Sequence, residues 1–501
     1  MTTITCQTTD GKDVQFVDQI IGSGAMKDVY FSPDRSYVVA FYKTAQDFQA
    51  KERLKKIVDS YYQALFVRDP NGEYWRSLFC WPTAMVEHGG KTGIVAPAYA
   101  KNFFFEYGSK DNDTMRFKGQ EKQGKWFASA NLRKRFLDPR ELGDWLTHLK
   151  MCLLLSRAIK KMHAMGLAHS DLSYKNVLVD PVNGAACVID VDGLVVPDKF
   201  PPDVVGTPDF IAPEVVATSH LEKTDPNRRL PCRATDCHAL AVLIYIYLLY
   251  RHPLRGGKVH DVDDEQNDEK LSMGAKALFV EHPTDPSNCI KIRDAKPSEL
   301  PWADTAKLPY TLTGPYLSEL FRRAFIDGLH NPIDRPTASD WERELVKTVD
   351  LIQPCQNPQC EQKWYVFDNS KKPKCPFCGT PYTGKLPVLN LYSSRVKERF
   401  LPDNHRLMVW SGQSLFLWHA NRLIAPNERL SEAQRRRVGY FVFHNNSWWL
   451  VNEGLPDLTD VTGGTKTPIP VNNRVELKDG GQLLLSKEDG GRLVVIQMVD
   501  A

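Results

Sequence analysis

An α+β multidomain architecture is predicted from three stretches of contrasting pattern. Residues 14–100 read as a small β-rich lobe with one helix, and residues 140–350 as mostly helical. From residue 385 onward short alternating strands take over, consistent with a small all-β domain over 386–501. At 501 residues the chain is too long for one core, so roughly two to four domains are expected.

The helix of the first stretch is Phe48 to Phe66, where Leu54, Ile57, Val58, Tyr61 and Leu65 fall on one side. Residues 101–135 form a polar insertion carrying Phe103, Phe104, Phe105, Phe117, Trp126 and Phe127; a second insertion spans 254–312. The longest apolar run, Ala239 to Tyr250, has 12 residues and predicts a buried helix, being too short for a bilayer. In the C-terminal stretch the strands are expected at Arg406–Trp410, Leu415–Trp418, Tyr440–Phe443, Trp448–Val451, Arg474–Leu477, Gln482–Leu485 and Arg492–Gln497. Asn445-Asn446, Asp479-Gly480 and Asp489-Gly490 supply turns between them. No internal repeat is present.

A net charge of +3 gives no reason to expect a nucleic-acid or membrane partner, and Arg435-Arg436-Arg437 reads as a solvated face. The polar segment Met1 to Asp10 is unlike a signal peptide. Of eleven cysteines, Cys6, Cys80, Cys152, Cys187, Cys232, Cys237 and Cys289 are scattered and expected mostly to pack as small hydrophobes. Such thiols without a secretion signal predict a reducing cytoplasm.

Three motifs follow one another in the helical stretch: His169-Ser170-Asp171-Leu172-Ser173-Tyr174-Lys175-Asn176, then Ile189-Asp190-Val191-Asp192-Gly193, then Gly206-Thr207-Pro208 with Ala212-Pro213-Glu214. Their order and spacing resemble the catalytic loop, magnesium motif and substrate-segment anchor of protein kinases. The resemblance implies a bilobal kinase fold, with an N-lobe at 14–100 and a C-lobe at 101–350. It also implies a protein serine/threonine kinase using ATP and magnesium or manganese.

Phosphoryl transfer needs a cover over the phosphates, charge neutralisation and an aligned hydroxyl. Ile21-Gly22-Ser23-Gly24-Ala25-Met26-Lys27-Asp28-Val29-Tyr30 resembles the glycine-rich cover, with Lys27 in place of the third glycine and able to contact a phosphate. Val38-Val39-Ala40-Phe41-Tyr42-Lys43 resembles the lysine-bearing strand and makes Lys43 the expected phosphate ligand. Glu52 is its expected partner on the following helix; Asp47 and Asp59 are the other acids. Ala96 and Ala98 complete the expected nucleotide-binding set with Gly22, Ser23, Gly24, Lys27 and Val29.

By the same resemblance Asp171 accepts the substrate hydroxyl proton, Asn176 is a magnesium ligand and Lys175 neutralises the γ-phosphate, since Ser173 holds the other usual lysine place. Asp190 is the second magnesium ligand if Cys187-Val188-Ile189 is the strand feeding it; the alternative register makes Asp192-Gly193 the pair. Thr207 stands where serine/threonine kinases bond the catalytic acid. Glu214 is expected to pair with Arg335, and Asp236 to hold the catalytic loop. Ser170 replaces the arginine that binds a phosphorylated activation loop, and 192–206 contains no Ser, Thr or Tyr, so activation without loop phosphorylation is expected. The departures at Lys27, Ser173, Val191 and Asp192 also fit a nucleotide-binding pseudokinase scaffold.

Cys355-x4-Cys360 and Cys375-Pro376-Phe377-Cys378 suit two zinc knuckles 14 residues apart, a structural zinc ribbon over 351–384. The β domain faintly resembles a forkhead-associated domain through Trp448-Trp449-Leu450-Val451-Asn452, Ile469-Pro470-Val471 and Val475-Glu476-Leu477-Lys478-Asp479-Gly480; a generic β-sandwich fits equally. With these additions the chain resembles bacterial kinases that act beside a phosphatase and a von Willebrand-type protein in tellurite-resistance-linked systems. That resemblance implies protein partners of those kinds.

Overall fold

The computed structural model describes residues 2–197, 199, 206–222, 224–367, 372–396 and 399–500. Two compact units result: Met1–Gly143, Thr147–Tyr310 and Glu319–Glu342 in the first, and Asp144–Leu146, Thr311–Ser318 and Arg343–Ala501 in the second.

The first unit opens with a seven-stranded antiparallel sheet. Its strands are β1 (Thr3–Thr8), β2 (Asp13–Val17), β3 (Ile20–Ser23), β4 (Lys27–Phe31), β5 (Tyr37–Tyr42), β6 (Ala84–His88) and β7 (Lys91–Pro97), in the order β2-β1-β6-β7-β5-β4-β3. The sheet therefore begins at Thr3, ahead of residue 14. The threonine-rich segment Thr2-Thr3-Ile4-Thr5-Cys6 gave little apolar contrast from which to read a strand. Strand β5 is covered on both faces. Val39 and Phe41 pack with Cys6, Phe16, Val86 and Val95, whereas Ala40 and Tyr42 pack with Leu54, Val58, Met85 and Ile94. Helix α1 (Phe48–Lys56) starts at Asp47, whose carboxylate accepts the Ala50 N–H at 2.7 Å. The path continues in wider π-type turns over Ile57–Tyr61 and Gln63–Val67, close to the extent its periodicity predicted.

The rest of this unit is mainly helical. The helix Arg233–Leu249 is buried along nearly its whole length and ends at Tyr250 in the left-handed region. Residues 101–135 are not simply a polar excursion: Phe103, Phe105, Phe117 and Phe127 are buried, and Phe105 stacks on Phe127 at 5.9 Å. Lys122, also buried, bridges Glu141 at 2.9 Å and Asp180 at 3.8 Å. In the 254–312 insertion the helix Glu265–Met273 is capped by Asp264, which accepts from the Gln266 and Asn267 N–H groups. The hairpin β8 (Val177–Asp180) and β9 (Ala185–Val188) turns at Gly184, in the left-handed region with φ +70°, and leads directly into Asp190.

In the second unit β10 (Ile352–Pro354) pairs with β11 (Trp364–Val366) at the cysteine module. Two antiparallel sheets follow. One is built on the long hairpin β12 (Lys385–Val396) and β13 (Arg399–Met408), joined by β21 (Arg492–Asp500), β20 (Gln482–Leu484), β17 (Thr459–Asp460) and β18 (Thr467–Pro468). The other orders β14 (Ser414–Phe416), β15 (Arg437–His444), β16 (Ser447–Asn452) and β19 (Arg474–Glu476). Leu389, Leu407 and Val494 of the first sheet share one core with Phe441, Leu450 and Leu415 of the second, which makes a sandwich. Strand β12 was not expected, because Pro387 breaks its pattern, and Trp418 lies in a helical turn, Leu417–Ala420, beyond the end of β14.

Candidate active site

The loop after the helix Trp145–Ala164 is fixed from below by Asp236 at the start of Arg233–Leu249. Its buried carboxylate accepts the His169 N–H at 2.8 Å and bonds His163 Nε2 at 2.9 Å. His169 Nδ1 accepts the Asp171 N–H at 3.1 Å, so its Nε2 donates to the Ile189 carbonyl at 3.1 Å. One imidazole thus ties the loop His169–Asn176 to the strand end that presents Asp190. Asp171 Oδ1 accepts the backbone N–H of Thr207 at 2.9 Å, and Oδ2 accepts Asn176 Nδ2 at 3.1 Å. The Thr207 hydroxyl turns instead to Ser173, at 3.2 Å. Asn176 Nδ2 also donates to the Asp171 carbonyl at 2.7 Å, which fixes the amide group. Its oxygen, the atom that would ligate a cation, is not engaged by these bonds. Lys175 is exposed on the same loop.

Asp190 has φ 61°, the left-handed region that a non-glycine residue rarely occupies and that clusters at functional sites. Its carboxylate is half exposed, whereas that of Asp192 is 6% exposed. Lys27 Nζ bridges the two, at 2.7 Å to Asp190 Oδ1 and 2.8 Å to both oxygens of Asp192. The Tyr42 hydroxyl donates to Asp192 as well. Burial alone would raise the carboxyl of Asp192, but the Lys27 ammonium holds it below its usual range. Burial likewise opposes the charge on Lys27, and Asp192 and Asp190 outweigh it, raising the ammonium above its ordinary value. For the Tyr42 phenol, burial and the adjacent Asp192 both act upward.

Lys43 does not join this group. Its Nζ donates to Ser23 Oγ at 2.8 Å and to the Gly24 carbonyl at 2.7 Å, and lies 3.5 Å from Asp28. The reason is strand parity. Across β4 and β5, Lys27 stands opposite Tyr42 and Val29 opposite Ala40, so all four share a face; Lys43, one residue on, belongs to the other. Glu52 reaches Lys199 at 3.5 Å, and Asp47 is committed to capping α1. Tyr42, and Asp192 as a partner for lysine, are what sequence reasoning passed over. The alternation of Ala40 with Tyr42 is the signal that puts Tyr42, not Lys43, on the face of Ala40.

A cavity of about 860 Å³ lies between the sheet and the segment 119–126, lined by Gly22, Val29, Ala40, Ala96, Ala98 and the Lys27–Asp190–Asp192 cluster among others. That volume suits a nucleotide, and small residues on its roof leave room for a flat base. A second cavity of about 420 Å³ opens beside Asp171, walled by Pro208, Phe210, Ile211, Val215 and Met273. The segment that walls this second cavity is anchored by Arg335, which clasps both oxygens of Glu214 at 2.8 and 2.7 Å. Residues 198 and 200–205 of the expected hydroxyl-free segment lie outside the described residues.

In the second unit Cys355, Cys360, Cys375 and Cys378 converge, with all four Sγ atoms within 4.8 Å of one another. Cys355 and Cys378 are 3.5 Å apart and Cys360 and Cys375 3.8 Å. A tetrahedral zinc with Zn–S near 2.3 Å requires sulfur separations of about 3.8 Å, so the donor set fits that ion.

Residues 123–340 match the family model described as the protein kinase domain. No curated protein matches the chain. Among solved structures, the Toxoplasma gondii specific rhoptry antigen kinase domain is similar at 13% identity and a TM-score of 0.38, over 69% of this chain and 86% of that one. The family match begins after the seven-stranded sheet, so Lys27, Tyr42 and Lys43 lie outside the matched span. The loop His169–Asn176, the acids Asp190 and Asp192 and the Glu214–Arg335 anchor all lie within the span of this α+β chain that matches the protein kinase domain.

Proposed function

We propose that the chain is an ATP- and magnesium-dependent protein serine/threonine kinase. The observation that carries this reading is Asp171, oriented by the Thr207 N–H and by Asn176, and opening onto a cavity suited to a protein segment. Asp171 receives the proton of the substrate hydroxyl as that oxygen bonds to phosphorus and the bond to the nucleotide β-phosphate oxygen breaks. Asn176 and Asp190 would hold magnesium; Gly22, Ser23, Gly24, Val29, Ala96 and Ala98 would surround ATP; Lys175 would face the transferred group. When bound, ATP supplies the phosphoryl group and magnesium offsets its charge. Thr207 beside the acid supports serine or threonine over tyrosine as acceptor.

The four thiols of 355–378 support a structural zinc, since four protein donors leave no open position. The bacterial, tellurite-linked setting, a cytoplasmic location, and a phosphatase and a von Willebrand-type protein as partners rest on the sequence resemblance. Among the described residues no helix is long and apolar enough to cross a membrane. Incubating the chain with radiolabelled ATP, magnesium and casein, followed by phosphoamino-acid analysis, tests the reading. Label on serine or threonine supports it. Nucleotide binding without any transfer favours the pseudokinase scaffold.

A further inference from the structure

We propose that the phosphate-binding lysine of this kinase is Lys27, and that Asp192, steadied by Tyr42, is the positioning residue that holds it. The proposal rests on the phosphotransfer reading above and deepens it.

A lysine that serves a nucleotide must leave the sheet on the cavity face, and must be pinned by a carboxylate that stays charged when buried. Lys27 meets the first condition because it shares its face with Val29 and Ala40, which line the cavity. Lys43 occurs where the strand has ended and its parity has reversed; it closes the Ser23–Asp28 turn on itself, where Ser23 Oγ also bonds Asp28 at 2.7 Å. The cover is therefore stapled by one lysine and the cavity served by another.

The second condition is met by Asp192. It is buried, and three groups surround it: Lys27 on both oxygens, the Tyr42 hydroxyl on one, and Asp190 beyond Lys27. Glu52, on the helix, is 37% exposed and paired with Lys199. The anchor that the family pattern would draw from a helix comes here from the segment directly after Asp190. A glycine at 192, as in the family pattern, would leave Lys27 without it. An ammonium has three N–H donors. Asp192 retains Lys27, while Asp190 is half exposed and free to face a cation, which releases an N–H of Lys27 toward phosphate oxygens. Because the anchor lies on the floor of the cleft, lysine positioning does not require a movement of α1.

The test uses the full-length chain, ATP with magnesium, and casein, with kcat, ATP KM and calorimetric ATP affinity measured for each variant. Lys27→Met should lower kcat/KM by about tenfold to hundredfold more than Lys43→Met does, the scale of one charge-assisted hydrogen bond to phosphate. Asp192→Asn should lower kcat and weaken ATP together, and Asp192→Glu should recover part of both. Since Tyr42 stands directly across from Lys27, the pair Lys27→Gly with Tyr42→Lys should exceed Lys27→Gly alone by about tenfold. Equal or greater damage from Lys43→Met would overturn the proposal, as would a folded double variant no better than the single. If the double variant fails to fold, the ranking of Lys27→Met against Lys43→Met decides. A wild-type chain that transfers nothing would sink the kinase reading, and the ranking of ATP affinities would then decide the assignment of Lys27 alone.

Discussion

Arg335 shows how single residues hold the site. Its guanidinium is 1% exposed and spends its donors on both Glu214 oxygens and on the carbonyls of Gly328, Ala234 and Leu329. A fully satisfied fork of this kind fixes geometry, and removing it strands Glu214 beside unpaired carbonyls. Arg335→Ala should cost about 3–5 kcal/mol in chemical denaturation and reduce phosphotransfer with it. Unchanged stability would show that the anchor is carried elsewhere. Asp350 is a second case. Burial opposes its charge, but His419 and His405, at 3.2 and 2.6 Å, hold the carboxyl below the ordinary range. A depressed folded pKa contributes stability that is complete above the unfolded value of about 3.9 and lost as pH falls through the folded one. Wild type should therefore lose stability relative to Asp350→Asn as pH drops below about 4, read by fluorescence melting; parallel curves would exclude the linkage.

Elements divide according to how directly their pattern reports their surroundings. The helix Arg233–Leu249 was legible because a continuous apolar run needs burial on every side, and the hairpin β8–β9 because Asn183-Gly184 marks its turn. Strand β12 was not legible, since Pro387 breaks the pattern that its neighbours β13 and β21 make coherent only in three dimensions. The site divides in the same way. The loop His169–Asn176 could be read from spacing, whereas the face taken by Lys43 could not, since in a strand one residue exchanges the cavity face for the opposite one. The cysteine module gives the element-scale prediction. Its two-stranded pairing, Ile352–Pro354 with Trp364–Val366, is too small to supply a core, so metal binding should supply its folding free energy. Elemental analysis should find about one zinc per chain, lost in Cys375→Ser with Cys378→Ser, with hydrogen exchange rising across 351–384. An ordered ribbon without metal would contradict this.

At the scale of the whole molecule, one unit holds most of the span that matches the protein kinase domain and the other carries a four-thiol centre and a β-sandwich. The family match covers residues 123–340, and the sheet before it carries Lys27 and Tyr42, which meet Asp192 of the matched span. Under the kinase reading, the chain performs its chemistry at Asp171. The most direct measurement compares wild type with Asp171→Asn in single-turnover phosphotransfer from magnesium ATP, with ATP affinity determined on the same samples. The expected result is a loss of about a hundredfold or more in the transfer rate with affinity nearly unchanged, the scale for removing a positioned base. Equal rates in the two proteins, or binding without transfer in the wild type, would contradict it.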